Sequence, residues 1–317
     1  MNQIAQKKKL NPNLINRLDQ LEQFIGNTPL YPIQRAYQKK GVEIYAKLEW
    51  QQLGNSVKAR PAFNILKEAI QANQVNETKG LLDATSGNTG IAYATIGSAL
   101  GIPITLCLPE NATKERKLIL QSLGTNLIYT SRFGGTDDAQ ARAKSLNISD
   151  FDKYYYADQY GNEHNWQAHY YHTAPEIYNQ TKGRITHFIT GLGTTGTFVG
   201  TSRRLKKLNP NIQCISMQPR LAMHGLDGWK HLPTVKVPSI YDDTVADSEA
   251  TIDTEEAYFW LKKMAEKEGI LISPSAAANL AGAIQLAEKI DKGVIVTIFP
   301  DNAEKYSEIL KQIFSNK

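Results

Sequence analysis

Short apolar runs alternate with amphipathic stretches along most of the chain, and that alternation leaves few folds open. Runs at 42–50, 80–85, 102–109, 126–131, 154–157, 186–192, 212–218 and 293–299 have the length and composition of strands. The stretches 61–73, 88–100, 113–123, 136–146, 165–180, 196–207, 254–268, 275–288 and 302–315 read as helices. Strands separated by helices do not form hairpins, so the pattern predicts α/β architecture with mostly parallel sheets under helical layers. The runs are nearly all apolar rather than alternating, as expected when both faces of a strand are buried. At 317 residues the chain exceeds what one core usually supports, so two α/β/α lobes meeting at a cleft are expected.

Charge excludes some partners. The formal net charge is +5, and there is neither an Arg-rich arm nor a basic–aromatic repeat, which argues against nucleic acid. The basic start of the chain has no apolar segment of the kind a secretory signal needs. No run approaches the roughly 18 apolar residues of a membrane span. A cytoplasmic protein without a membrane partner is the expectation. Cys107 and Cys214 lie in apolar strands without metal-ligand spacing, so buried structural thiols are expected and no metal. Residues 220–252 break the rhythm with Pro233, Pro238, His224, His231 and an acidic stretch after Tyr241. A connection this long is often functional.

Three turns carry chemistry. The run ending at Thr190 leads into Gly193-Thr194-Thr195-Gly196-Thr197 and then directly into a helix. Such a turn offers backbone N–H groups and hydroxyls to a phosphate at a helix N-terminus. Gly191, Gly193 and Gly196 also satisfy G-x-G-x-x-G, but a dinucleotide site wants an acidic residue at the end of the next strand, and Gln218 stands there. The second turn, Thr85-Ser86-Gly87-Asn88-Thr89, can hold a carboxylate on another helix N-terminus, or can simply cap that helix. The third, Ser56-Val57-Lys58-Ala59-Arg60-Pro61, sets Lys58 before a helix whose first turn holds Pro61. An ammonium is electrostatically misplaced there, although an exposed surface lysine is the ordinary alternative.

In this order and at these separations the three turns resemble the cysteine synthase family of pyridoxal 5′-phosphate enzymes, fold type II, the tryptophan synthase β-like fold. The likeness runs from Ile25-Gly26-Asn27-Thr28-Pro29-Leu30 to Phe299-Pro300-Asp301. Within the family the chain is more similar to cysteine synthase B and its O-phosphoserine-using members, through Pro109-Glu110-Asn111-Ala112-Thr113, Asp158-Gln159-Tyr160-Gly161-Asn162 and Gln218-Pro219-Arg220.

The resemblance implies a role for each matching residue. Lys58 takes the place of the lysine that carries the cofactor and moves the Cα proton. Asn88 matches the partner of the cofactor's 3′-oxygen. Gly193, Thr194, Thr195, Gly196 and Thr197 match its phosphate loop. Ser273 matches the hydroxyl facing the pyridine nitrogen, with Ser275 as the other candidate. Thr85, Ser86, Gly87, Thr89 and Gln159 match the grip on the substrate carboxylate. Arg220 matches a residue able to pair with a substrate phosphate, and His224 and Lys230 could add charge there. The resemblance further implies a smaller lobe over 52–160, a larger phosphate-binding lobe over 1–51 and 161–317, cofactor in the cleft, and a homodimer. It implies replacement of the β-substituent of O-acetyl- or O-phospho-L-serine by a sulfur donor.

The chain departs from the family where Ala59 replaces a usual aspartate, where Gln52-Leu53-Gly54-Asn55 replaces an Asn-Pro and Gly pair, and over His224–His231. These changes bear on substrate more than on cofactor. Cystathionine β-synthase or serine/threonine dehydratase activity, and a non-catalytic binding protein, are the competing readings.

Overall fold

The computed structural model describes residues 11–85 and 87–315. Ten strands form: β1 (Leu30–Ile33), β2 (Val42–Leu48), β3 (Gly80–Ala84), β4 (Ile104–Pro109), β5 (Asn126–Thr130), β6 (Tyr154–Tyr156), β7 (His187–Gly191), β8 (Gln213–Pro219), β9 (Ser248–Ile252) and β10 (Gly293–Phe299). They build two sheets, ordered β5-β4-β3-β6 and β1-β2-β10-β7-β8-β9. Every pairing is parallel except β1 with β2. The expected α/β class with mostly parallel sheets is therefore what the chain adopts.

The chain divides into two compact units. The smaller comprises residues 11–25 and 62–158, and the larger comprises 26–61 and 159–315. The expected division differed at 52 and at the N-terminal segment. Leu14 and Leu18, fully buried, pack with Phe63, Leu66 and Tyr93 of the smaller unit, so the helix Pro12–Glu22 belongs there.

In the smaller unit the period-2 geometry of the strands sorts two apolar layers. Leu81, Ile104, Leu106 and Leu108 face the helices Pro12–Glu22 and Asn88–Leu100. Leu82, Ala84 and Cys107 face Ala139 and Ala143 of the helix Gly135–Ser149. The larger unit repeats the plan. Ile189, Ile215 and Ile295 pack on the helices Thr254–Glu268 and Pro274–Lys289. Phe188, Cys214, Val296 and Ile298 pack on Ala174 and Ile177, and on Phe198, Val199 and Leu205 of the helix Gly196–Leu208.

Sequence periodicity missed three elements. No element was expected over Pro12–Glu22, yet Asn11 Oδ1 accepts the Asn13 N–H at 3.0 Å and Pro12 starts the helix. Strand β1 is four residues long with Pro32 inside, and β9 is mostly exposed, so neither presents an apolar run. Both are sheet edges, where proline and polar residues are tolerated. The expected helix 165–180 is continuous but carries a π-helical turn, His169–Thr173, between Glu163–Ala168 and Ala174–Gln180. Among the described residues no helix is long and apolar enough to cross a membrane.

Candidate active site

The Gly193–Thr197 turn joins β7 to the helix Gly196–Leu208. Thr195 is the N-cap, at φ +73°, a left-handed conformation that costs a β-branched residue about 1–3 kcal/mol. Its hydroxyl makes no capping bond, and Thr195 Oγ1 is buried with no hydrogen-bond partner among the described residues. Thr194 Oγ1 accepts from Asn165 Nδ2 at 3.3 Å, and Thr197 Oγ1 lies 3.2 Å from His169 Nε2. The helix has no acidic residue in its first turn and ends in Lys206 and Lys207, so its positive pole is unopposed.

The glycines of this turn are required by packing. A Cβ on Gly193 would sit 2.4 Å from the Gly228 carbonyl oxygen, and one on Gly191 would sit 2.0 Å from the Trp229 ring. Gly193→Ala must displace the Gly228 backbone, and we expect a loss of about 1–3 kcal/mol, read as a lowered denaturation midpoint. An orphaned buried hydroxyl and neighbouring hydroxyls at the N-terminus of a helix fit a phosphate monoester.

Lys58 stands at the end of a segment fixed from several sides. The Val57 N–H donates to the Pro300 carbonyl at 2.8 Å, and the Lys58 N–H to Ser56 Oγ at 3.3 Å. Gln52 Nε2 donates to the Glu49 carbonyl, to Glu49 Oε2 and to the Ser56 carbonyl. Gly54 and Asn55, where the family pattern is broken, both take positive φ, at 86° and 50°. The helix Ala59–Gln71 begins immediately after Lys58. Lys58 keeps part of its surface accessible. Burial pushes its ammonium pKa below the usual 10.5, while Asp301 and Glu49 pull the other way. Asp301 is fully buried and accepts from the Tyr306 hydroxyl at 2.8 Å.

Arg60, two residues beyond Lys58, belongs to a buried ionic group. Arg60 Nε donates to Glu49 Oε2 at 2.6 Å and Arg60 Nη2 to Glu49 Oε1 at 2.9 Å. Arg60 also meets Glu176 at 2.7 and 2.8 Å, and Lys47 Nζ meets Glu176 Oε2 at 2.7 Å. Thr28 Oγ1 donates to Glu49 at 2.7 Å. Sequence reading found Lys58 but not Glu49, Lys47 and Glu176, because a charged residue in a short strand run or on a helix looks like a solvated one.

In the same unit Ser273 is the N-cap of the helix Pro274–Lys289, fully buried. Its Oγ accepts the Ala276 N–H at 3.2 Å and lies 3.1 Å from Ser275 Oγ, so both serine candidates share one hydroxyl cluster. The Ser273 N–H reaches the Asp301 carbonyl at 3.4 Å, which links this cluster to the Lys58 surroundings. Gln159 is buried, and its carbonyl accepts from Asn165 Nδ2 at 2.6 Å.

Arg220 directly follows β8. Its side chain is 55% exposed and its Nε donates to both Asp253 oxygens, at 2.9 and 2.8 Å. His224 Nδ1 accepts the Leu226 N–H at 3.1 Å, and Lys230 Nζ lies 4.9 Å from the Tyr160 ring centre.

In the smaller unit Thr85 follows β3, and its Oγ1 accepts the Gly87 N–H at 3.2 Å. Gly87 is the N-cap of the helix Asn88–Leu100, with no side-chain cap and no acidic residue in the first turn. Asn88 opens that helix and Thr89 is buried on it. Ser86 lies outside the described residues. Cys107 and Cys214 are buried free thiols, and burial pushes each up to about 11, which makes them unreactive.

Parallel α/β units with a Gly/Thr turn at a helix N-terminus and a fixed, partly desolvated lysine suit a phosphorylated carbonyl cofactor. The chain belongs to the family of pyridoxal-phosphate dependent enzymes, whose model matches residues 21–301. It is 46% identical over 301 residues to a cysteine synthase of Aquifex aeolicus, covering 93% of this chain and 91% of that one. It is 35% identical over 282 residues to a cysteine synthase B of Pseudomonas aeruginosa, covering 89% and 93%. Its fold is similar to that of a cysteine synthase from Entamoeba histolytica, with a TM-score of 0.88 and 28% identity over 100% of this chain and 94% of that one. The resemblance drawn from the motifs holds, and the fold is type II.

Proposed function

We propose that the protein catalyses β-replacement of the cysteine synthase type, converting O-acetyl-L-serine and sulfide to L-cysteine, with O-phospho-L-serine as the competing donor. The phosphate cradle at Gly193–Thr197, with its orphaned Thr195 hydroxyl, carries this reading. Bound pyridoxal 5′-phosphate supplies an electron sink conjugated with the substrate Cα.

The chain's own residues would do the rest. Thr194, Thr195, Thr197 and the backbone N–H groups at Gly193 and Gly196 hold the phosphate. Lys58 Nζ would hold the cofactor covalently and, when free, would be the base for the Cα proton. Burial favours the neutral amine that both steps need. Asn88 serves the ring oxygen. Thr85, Ser86, Gly87, Thr89 and Gln159 bind the substrate carboxylate. Ser273 offers the ring nitrogen a neutral hydroxyl, where a carboxylate would hold a proton on the ring.

The ion pair with Asp253 supports acetate as the leaving group, because it already satisfies the Arg220 charge at an exposed position. The test is turnover with both serine esters and sulfide, in wild type and Arg220→Ala. The expected result is preference for O-acetylserine and a change within about twofold in the variant, since exposed pairs contribute little. Preference for phosphoserine that Arg220→Ala removes would overturn the assignment of the leaving group. Pyruvate release without a thiol would indicate a dehydratase, and faster use of homocysteine a cystathionine synthase. The reading carries with it a homodimer in the cytoplasm, which sedimentation and fractionation check.

A further inference from the structure

We infer that His169 is a positioning residue for the cofactor phosphate, a neutral imidazole whose Nε2–H donates to Thr197 Oγ1 and turns the Thr197 hydroxyl proton toward the anion. This rests on the proposed cofactor site and adds to it a residue outside the phosphate turn.

Packing brings His169 there. Gly196 and Gly200 lie four residues apart, on one face of the helix Gly196–Leu208. A Cβ on Gly196 would meet Asn165 Oδ1 at 2.1 Å, and one on Gly200 would meet the Trp166 carbonyl oxygen at 2.0 Å and His169 Cβ at 3.0 Å. The two glycines therefore let the segment 165–169 lie directly against the phosphate-binding helix. That contact sets Asn165 beside Thr194 at 3.3 Å and His169 beside Thr197 at 3.2 Å. One segment thus supports two hydroxyls of the cradle. His169 opens the π-helical turn His169–Thr173, a widened turn of the kind often found at functional sites.

The direction of the hydrogen bonds follows from the chemistry. His169 is fully buried, and Thr173 Oγ1 lies 2.9 Å from its Nδ1. Burial pushes the ring's pKa well below 6.5, and nearby Arg60, Lys58 and His172 reinforce this against the opposing Glu176. A neutral imidazole has one donor and one acceptor. Were the Thr197 hydroxyl to donate to Nε2, only its lone pairs would face a phosphate. With Nε2–H as donor, the Thr173 hydroxyl donates to Nδ1 and fixes the tautomer, and Thr197 keeps its proton for the ligand. The relay runs from Thr173 through His169 to Thr197.

The experiment compares dissociation constants of the apoprotein for pyridoxal 5′-phosphate and for pyridoxal, which has the same ring without the phosphate. His169→Leu should weaken the phosphorylated cofactor roughly tenfold and leave pyridoxal unchanged, while His169→Gln, which retains a donor, should restore most of the difference. Thr173→Val, a near-isosteric change that frees the tautomer, should act in the same direction with a smaller factor, and serves if His169→Leu does not fold. Equal shifts for both ligands, or none, would overturn the inference. A wild-type protein that shows no preference for the phosphorylated ligand would overturn the cofactor site itself, and the inference with it. Ring ¹⁵N shifts of the holoprotein provide a readout independent of affinity. Nε2–H with bare Nδ1 is expected, and the opposite tautomer contradicts the relay.

Discussion

Lys58→Ala should abolish cysteine formation, lowering kcat by about 10²–10⁴-fold from the lost proton transfer alone, and further through loss of the covalent link to the cofactor. The expectation follows from placement. Lys58 follows a segment tied down through Ser56, Gln52 and Pro300, and its amine is pushed toward the neutral form by burial. The cradle at Thr194–Thr197 does not depend on Lys58, so the variant should still bind the cofactor through its phosphate. Steady-state kinetics with a parallel cofactor titration separates the two effects. Added primary amines should restore a fraction of the turnover if the missing group is only a base.

The largest expected effect on stability comes from Arg60. Arg60→Met leaves the carboxylates of Glu49 and Glu176 facing each other in a buried site, and breaking a buried ion pair from one side costs about 3–5 kcal/mol. The loss would appear as a lower midpoint in denaturant at unchanged slope. The same group predicts acid sensitivity. Burial alone would raise the Glu176 carboxyl, but Arg60 and Lys47 outweigh it and hold it at about 2, against the usual 4.5. A carboxyl depressed in the folded state stabilises it above its unfolded pKa, and that stabilisation is lost as protons bind. The contribution, on the order of 3 kcal/mol, should therefore be complete above pH 4.5 and vanish as pH falls toward 2. Glu176→Gln should flatten this part of the stability profile.

Much of the architecture was legible in the sequence because buried parallel strands are apolar along most of their length. Runs such as Gly80–Ala84 and Gly293–Phe299 show that pattern, and both became interior strands. The edges were not legible. The Pro32 strand and the Ser248–Ile252 strand owe their pairing to their neighbours rather than to their own composition. Of the site, the Gly/Thr turn announced itself, since few other uses exist for so many small donors at a strand–helix junction. Lys58 did not; only its order relative to the other turns singled it out.

The supporting groups were invisible for a different reason. Asn165, His169 and Glu176 act through contacts with residues far away in the sequence, and nothing in their local spacing marks them. His169 is the clearest case, because its role depends on Gly196 and Gly200 permitting a close approach. Arg220 is a different case. Its sequence position suggested a phosphate partner, and its exposed side chain is paired with Asp253.

The most direct test of the account is to reduce the holoprotein with borohydride and locate the fixed cofactor by peptide mass. The account predicts a single modified peptide with the added mass on Lys58. A cofactor fixed to another lysine, or none fixed in protein that has been saturated with pyridoxal 5′-phosphate, would contradict it.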